Sequence, residues 1–223
     1  MKLIPITNRR GESMKKRKHT VSSIAGCIGL CAWALSACGQ GNISGTAVGS
    51  TLAVSKDGTV TSYLVADFDK DYYDISELRD MVLEEVREYN EQKAANGESA
   101  KTVRVESVEK TPDGTNQAVV RHVFDSPQAY RDFTGNELYY GTIARAYEQG
   151  YTLDVSMVDV RDAAVIGKEE IAALGKWYLL IAEEKMELRC PKKIRYVNEG
   201  AVLNEDGTVS PSDEEGYTYI IMK

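Results

Sequence analysis

The sequence predicts an α+β fold, an antiparallel β-sheet built from hairpins with one long amphipathic helix and several short helices. Three observations carry this expectation. Strand-like runs come in pairs joined by Asp-Gly turns. One stretch sustains a helical apolar period over many turns, and the other helical patterns are short. Strands and helices do not alternate regularly, which argues against a parallel βαβ sheet.

The elements follow in order. "TLAVS" and "TVTSYLVADF" flank "KDG", a hairpin turning at Asp57-Gly58. Asp74, three residues before Glu77, makes a capping-box-like helix start. Ile75, Leu78, Met81, Val82, Val86 and Tyr89 then recur at three- and four-residue steps, a stripe expected to lie on the sheet. Asp80, Glu84, Arg87, Glu88 and Glu91 fill the other side, and Gly97 stops the helix. "KTVRVESVEK" and "NQAVVRHVFDS" form a second hairpin around Pro112-Asp113-Gly114.

Ser126-Pro127 reads as N-cap and first position of the short helix "PQAYRDF". Another short helix runs from Thr142 to Glu148 and ends at Gly150. Alternation resumes in "YTLDVSMVDV", and "KEEIAAL" is helical. Four strands close the chain: "WYLLIA", "MELRC", "KIRYV" and, after the "NEDGT" turn, "YTYIIM".

The N-terminus has a different character. Lys15, Lys16, Arg17 and Lys18 precede an apolar run from Val21 to Leu35. A membrane-spanning helix needs ~20 predominantly apolar residues. The run is shorter and fits the core of a secretory signal. It closes on Leu35, Ser36, Ala37 and Cys38, which resembles the lipobox of bacterial lipoprotein signals: aliphatic, small, small, cysteine. The resemblance implies a diacylglyceryl group on the thiol of Cys38 and cleavage just before it. Residues 1–37 are then a discarded signal peptide, and Met14 before "KKRKH" offers a second start within it. Residues 38–50, rich in Gly and Ser, make a flexible tether. Residues 51–223 are expected to form a single α+β domain.

Cleavage changes the arithmetic. Of the four cysteines, Cys27 and Cys31 leave and Cys38 is alkylated, so Cys190 is the one remaining thiol and no internal disulfide is available. The leader takes seven of 27 basic residues and one of 34 acidic ones, moving the net charge from −7 to −13. That excludes a nucleic-acid footprint and disfavours docking of the folded body on an anionic bilayer. Attachment to the membrane is therefore assigned to the lipid on Cys38.

Candidate chemistry is sparse. Asp67, Asp69, Asp71 and Asp74 in "ADFDKDYYD" open like a Ca²⁺ loop, but Tyr72 stands where such a loop needs Gly and Leu78 where it needs Glu. Helix capping is the better reading, and no metal or other cofactor is assigned. A Cys190–His122 dyad is conceivable, yet Cys190 alternates with Met186 and Leu188 as a core residue does. Lys185, Arg189, Lys192, Lys193 and Arg195 form a basic island suited to an anionic wall polymer or lipid headgroup. Glu183, Glu184 and Glu187 beside it favour cross-strand pairing instead. Tyr72-Tyr73 and Tyr139-Tyr140 are expected to pack in sheet and core. No catalytic residue is assigned.

The runs "VFDSPQAYRDFTGNELYYGTIARAYEQGY" (123–151), "VADFDKDYYD" and "EGYTYIIMK" resemble uncharacterised lipid-anchored proteins of Gram-positive gut bacteria. The resemblance implies a location on the outer face of the cytoplasmic membrane and one domain, and brings no activity with it. The expected function is non-enzymatic binding of an envelope protein, glycan or peptide. The alternative is a small envelope hydrolase using carboxylates or a bound metal. A two-lobed transporter component is disfavoured by the absence of α/β alternation.

Overall fold

A computed structural model describes residues 49–97, 102–112, 114–212 and 216–223. The lipobox expected at residues 35–38 and most of the expected tether lie outside the described residues. The chain enters through β1 (Thr51–Val54) and β2 (Val60–Asp67), then α1 (Ile75–Ala95), β3 (Val103–Lys110) and β4 (Gln117–Phe124). Next come α2 (Pro127–Thr134), β5 (Leu138–Thr142), α3 (Ile143–Glu148), β6 (Met157–Asp159), β7 (Val165–Ile166) and α4 (Lys168–Ala173). Six strands finish it: β8 (Tyr178–Ala182), β9 (Glu187–Arg189), β10 (Ile194–Asn198), β11 (Val202–Leu203), β12 (Thr208–Ser210) and β13 (Thr218–Met222).

The fold is α+β, with two antiparallel-rich sheets in place of the single sheet expected. The first has seven strands in the order β11-β12-β9-β1-β2-β4-β3, and the second has six in the order β5-β8-β13-β10-β6-β7. Every pairing is antiparallel except β1 with β9, where Thr51 stands opposite Glu187 and Ala53 opposite Arg189.

One core lies between the sheets. Leu52, Val54, Val60, Phe124 and Leu188 of the first sheet meet Leu180, Ala182, Val197, Ile220 and Met222 of the second. The other face of the second sheet presents Leu179, Ile181 and Ile221 to Ile143, Ala146 and Ile171 from α3 and α4. Its central strands are therefore apolar on both faces, which is why "YLLIA" and "YTYIIM" read as continuous runs. Each fully buried Leu or Ile contributes about 1.5–3 kcal/mol of transfer free energy.

The chain passes between the sheets five times, and two of these crossings flank β9. β8 runs to Ala182, residues 183–186 carry it across, β9 runs back, and residues 190–193 return it to β10. The molecule thus has an entry end, where the chain joins at Thr51, and a far end, marked by the Asp57-Gly58 turn. At the entry end Ser50 is stapled to β2: the Val65 N–H donates to its Oγ at 3.1 Å. Ile194, Met222 and Tyr178 lie level with one another at the far end.

The long helix forms where expected but sits differently. Asp74 Oδ1 caps it, accepting N–H bonds from Ser76 at 2.6 Å and Glu77 at 3.3 Å. Of its apolar stripe only Val86 is buried, and Met81 is 64% exposed. The helix runs along β3, the outermost strand of the first sheet. Asn90 donates to the Val103 carbonyl at 2.8 Å and accepts from the Val103 N–H at 3.3 Å, while Arg79 donates to the Val108 carbonyl at 2.9 Å. These bonds occupy edge groups that would otherwise pair with another chain. Among the described residues, no helix is long and apolar enough to cross a membrane.

Candidate functional site

The aspartate run does not converge. Asp74 is the helix cap, Asp69 pairs with Lys70 at 3.1 Å, and among the described residues no group of three or more His, Cys, Asp or Glu could hold a metal ion. The neighbouring tyrosines correct the packing expectation. Tyr139 is buried, but Tyr72 is 76% exposed, edge-on to Tyr73 with ring centroids 4.9 Å apart.

The dyad is not assembled. Cross-strand register aligns His122 with Ser62, Ser62 with Leu52, and Leu52 with Leu188, so three inter-strand steps separate β4 from β9. At ~4.8 Å per step, that is ~14 Å. His122 packs against the rings of Phe124 and Phe133, with Nε2 buried and unpartnered among the described residues. Burial pushes its pKa down to about 4, so it is a neutral ring at physiological pH. Burial likewise pushes the Cys190 thiol up to about 12. Cys190 packs on the inter-sheet core as a small hydrophobe. In the folded domain at pH 8 Cys190 should therefore alkylate at least ~100-fold more slowly than in urea, since thiolate is the reactive form. Equal rates, followed by mass spectrometry with iodoacetamide, would show the thiol accessible.

A notch of about 390 Å³ opens between α2 and the residues after α3, lined by Arg131, Glu137, Gln149, Gly150 and Tyr151. Its polar groups satisfy one another. Arg131 Nη1 donates to Glu137 Oε1 at 2.8 Å and to Tyr151 Oη at 3.0 Å, and Tyr151 Oη donates to Glu137 at 2.6 Å. Burial and the adjacent Glu137 carboxylate push Tyr151 up to about 12, so it stays a donor. A closed triad of this kind is a brace, with no base or nucleophile left over.

The basic island divides. Arg189 pairs with Asp206 at 3.8 Å, Lys185 donates to the Ser212 carbonyl at 3.0 Å, and Arg195 pairs with buried Asp159. None of these uses Glu183, Glu184 or Glu187, the partners expected from proximity in sequence. Arg195 is the extra residue of a bulge between Ile194 and Tyr196, which turns it toward Asp159 on β6. Lys192 instead places Nζ 4.0 Å from the centroid of Tyr178. Lys223, remote in sequence, does the same over Trp177 at 5.5 Å, and its N–H donates to the Lys193 carbonyl at 3.0 Å. The island thus gains members that sequence proximity did not reveal. The adjacent "GKWY" and the closing lysine were the available signal.

No family model matches the chain, and no curated protein or solved structure matches it.

Proposed function

We propose that this chain is a lipid-anchored, extracytoplasmic binding module held to the membrane through Cys38, with no catalytic role. The observation that carries the reading is the order of its N-terminal signals: basic flank, short apolar core, then Leu35-Ser36-Ala37-Cys38 and a Gly/Ser-rich tether. The domain supports it in a second way. Its histidine and thiol are far apart and pushed toward their neutral forms, and its polar notch is self-satisfied. We read the long helix as amphipathic in a restricted sense. Ile75, Leu78, Val82, Val86 and Tyr89 are among its less exposed positions, together with Asn90 and Lys93, and it shields the β3 edge.

The anchor is tested in cells that process lipoproteins. The full chain should sediment with membranes and label with palmitate, and Cys38→Ser should abolish the label and shift the protein to the soluble fraction. Unchanged membrane association in that variant would sink the proposal.

A further inference from the structure

The far end of the domain carries a cluster of lysines in a chain of acidic net charge. Lys176, Lys192, Lys193 and Lys223 gather there, and none of them pairs with a carboxylate among the described residues. The register explains the gathering. Tyr178 begins β8 opposite Met222, Met222 stands opposite Ile194, and Lys223 and Lys193 are the next residues outward. Trp177 and Tyr178 are consecutive, so their rings lie on opposite faces of the sheet. Tyr178 faces the inter-sheet core and Trp177 faces the helices. Lys192 over one ring and Lys223 over the other therefore straddle the rim of the sheet.

The rings hold these ammonium groups in place without neutralising them. Asp57, a carboxylate at the same end, accepts the Thr59 N–H at 3.0 Å in its own turn. Both arginines of the island are already engaged, with Asp206 and Asp159. What remains is a row of lysine point charges, which suits phosphate better than the planar carboxylates that arginine forks recognise. Half-buried Trp177 and Tyr178 add apolar surface for the carbon segments between phosphates.

Position selects the source of those phosphates. The described chain enters at the entry end, at Thr51. The lysine rim lies at the opposite end of the strands, ~15 Å away. On the lipid-anchored reading the rim is thus the end opposite the attachment, free to meet polymer beyond the bilayer surface.

We infer that the far-end rim, Lys176, Lys192, Lys193 and Lys223 around Trp177 and Tyr178, docks a linear phosphodiester polyanion of the envelope. The envelope source rests on the lipid-anchored reading above, whereas the phosphate chemistry rests on the rim alone. Among the described residues every core residue lies between Leu52 and Met222, so residues 39–223 serve as the lipid-free test protein.

The experiment titrates that protein with poly(glycerol phosphate) and, separately, with phosphatidylglycerol vesicles. Binding to the polymer is expected at 50 mM salt and should weaken more than ~10-fold by 200 mM, as counterion release by three or four lysines requires. The triple change Lys192→Glu, Lys193→Glu, Lys223→Glu should abolish it while a single cooperative unfolding transition is retained, lowered by no more than a few degrees through loss of the two ring contacts. Reversal of Lys70 and Lys110, at the entry end, should leave it intact. Absence of polymer binding, its survival in the triple variant, or equal binding to the vesicles would each overturn the inference. Because the assay uses no lipid on Cys38, its result stands whether or not the Cys38→Ser fractionation supports the anchor.

Discussion

Asp159→Ala is expected to destabilise the domain by about 3–5 kcal/mol, the range for removing one partner of a buried ion pair. Asp159 is 3% exposed, and its carboxylate holds three groups at once. It pairs with Arg195, accepts the Arg161 N–H at 2.9 Å, and lies 3.6 Å from Arg161 Nε. Truncation leaves the Arg195 guanidinium without its counter-charge, and Nη1 of that group is already buried and unpartnered among the described residues. It also removes the side-chain bond that starts the turn from β6 into β7.

Two further variants separate these effects. Asp159→Asn keeps an acceptor for the Arg161 N–H and loses only the charge, so it should cost less than alanine. Arg195→Met should rescue Asp159→Ala in part, because the stranded cation is then gone. Urea unfolding of the four proteins supplies the cycle. A loss below 1 kcal/mol for Asp159→Ala would show that water reaches the pair, which the geometry denies.

This pair also illustrates what the sequence could and could not disclose. Local chemistry was legible: Asp57-Gly58, Asp74 and Ser126-Pro127 act where expected because turns and caps depend on neighbours a few residues away. The four closing strands were legible from their apolar runs. Partnership between strands was not. β9 joins β1 in parallel across more than 130 residues, and nothing in "MELRC" or "TLAVS" encodes that choice. The "NEDGT" turn was expected to lead into the last strand, but it joins β11 to β12 on the first sheet. β5 was hidden because "LYYGT" runs directly into the cap of α3.

The site divides along the same line. The proposed anchor at Cys38 rests on a local sequence signal alone. The lysine rim draws on positions 176, 192, 193 and 223, and only sheet register places them together. The long helix was misplaced for a related reason. Its period predicts that one side meets something apolar, but it does not say whether that is a sheet face or an edge. Asn90 and Arg79, polar residues flanking the stripe, make the edge contacts.

The second large effect is acid sensitivity centred on His122. This histidine is 5% exposed, and burial alone pushes its pKa from 6.5 down to about 4. The unfolded chain therefore takes up a proton between pH 6.5 and 4 that the folded chain refuses. Above pH 6.5 both states hold the neutral ring and stability is at its full value. As pH falls through that window the unfolded state gains, at about 1.4 kcal/mol per pH decade, for a total of about 3 kcal/mol. Carboxylates act later. Asp57 is held below the ordinary range by the Thr59 N–H, and Asp206, although its burial opposes this, by Thr208 and Arg189. Their contributions are present above the unfolded carboxylate pKa and fade as pH drops below about 4. The interval from pH 6.5 to 4.5 thus belongs mainly to His122, the one histidine among residues 39–223. His122→Phe extends the ring cluster of Phe124, Tyr130 and Phe133 and should flatten the stability profile across that interval. Urea midpoints at pH 7, 6 and 5 measure it, and the imidazole proton signal of the native protein should stay unshifted down to pH 5. A parallel profile in wild type and variant, or a native imidazole titrating near 6.5, would place His122 in contact with water.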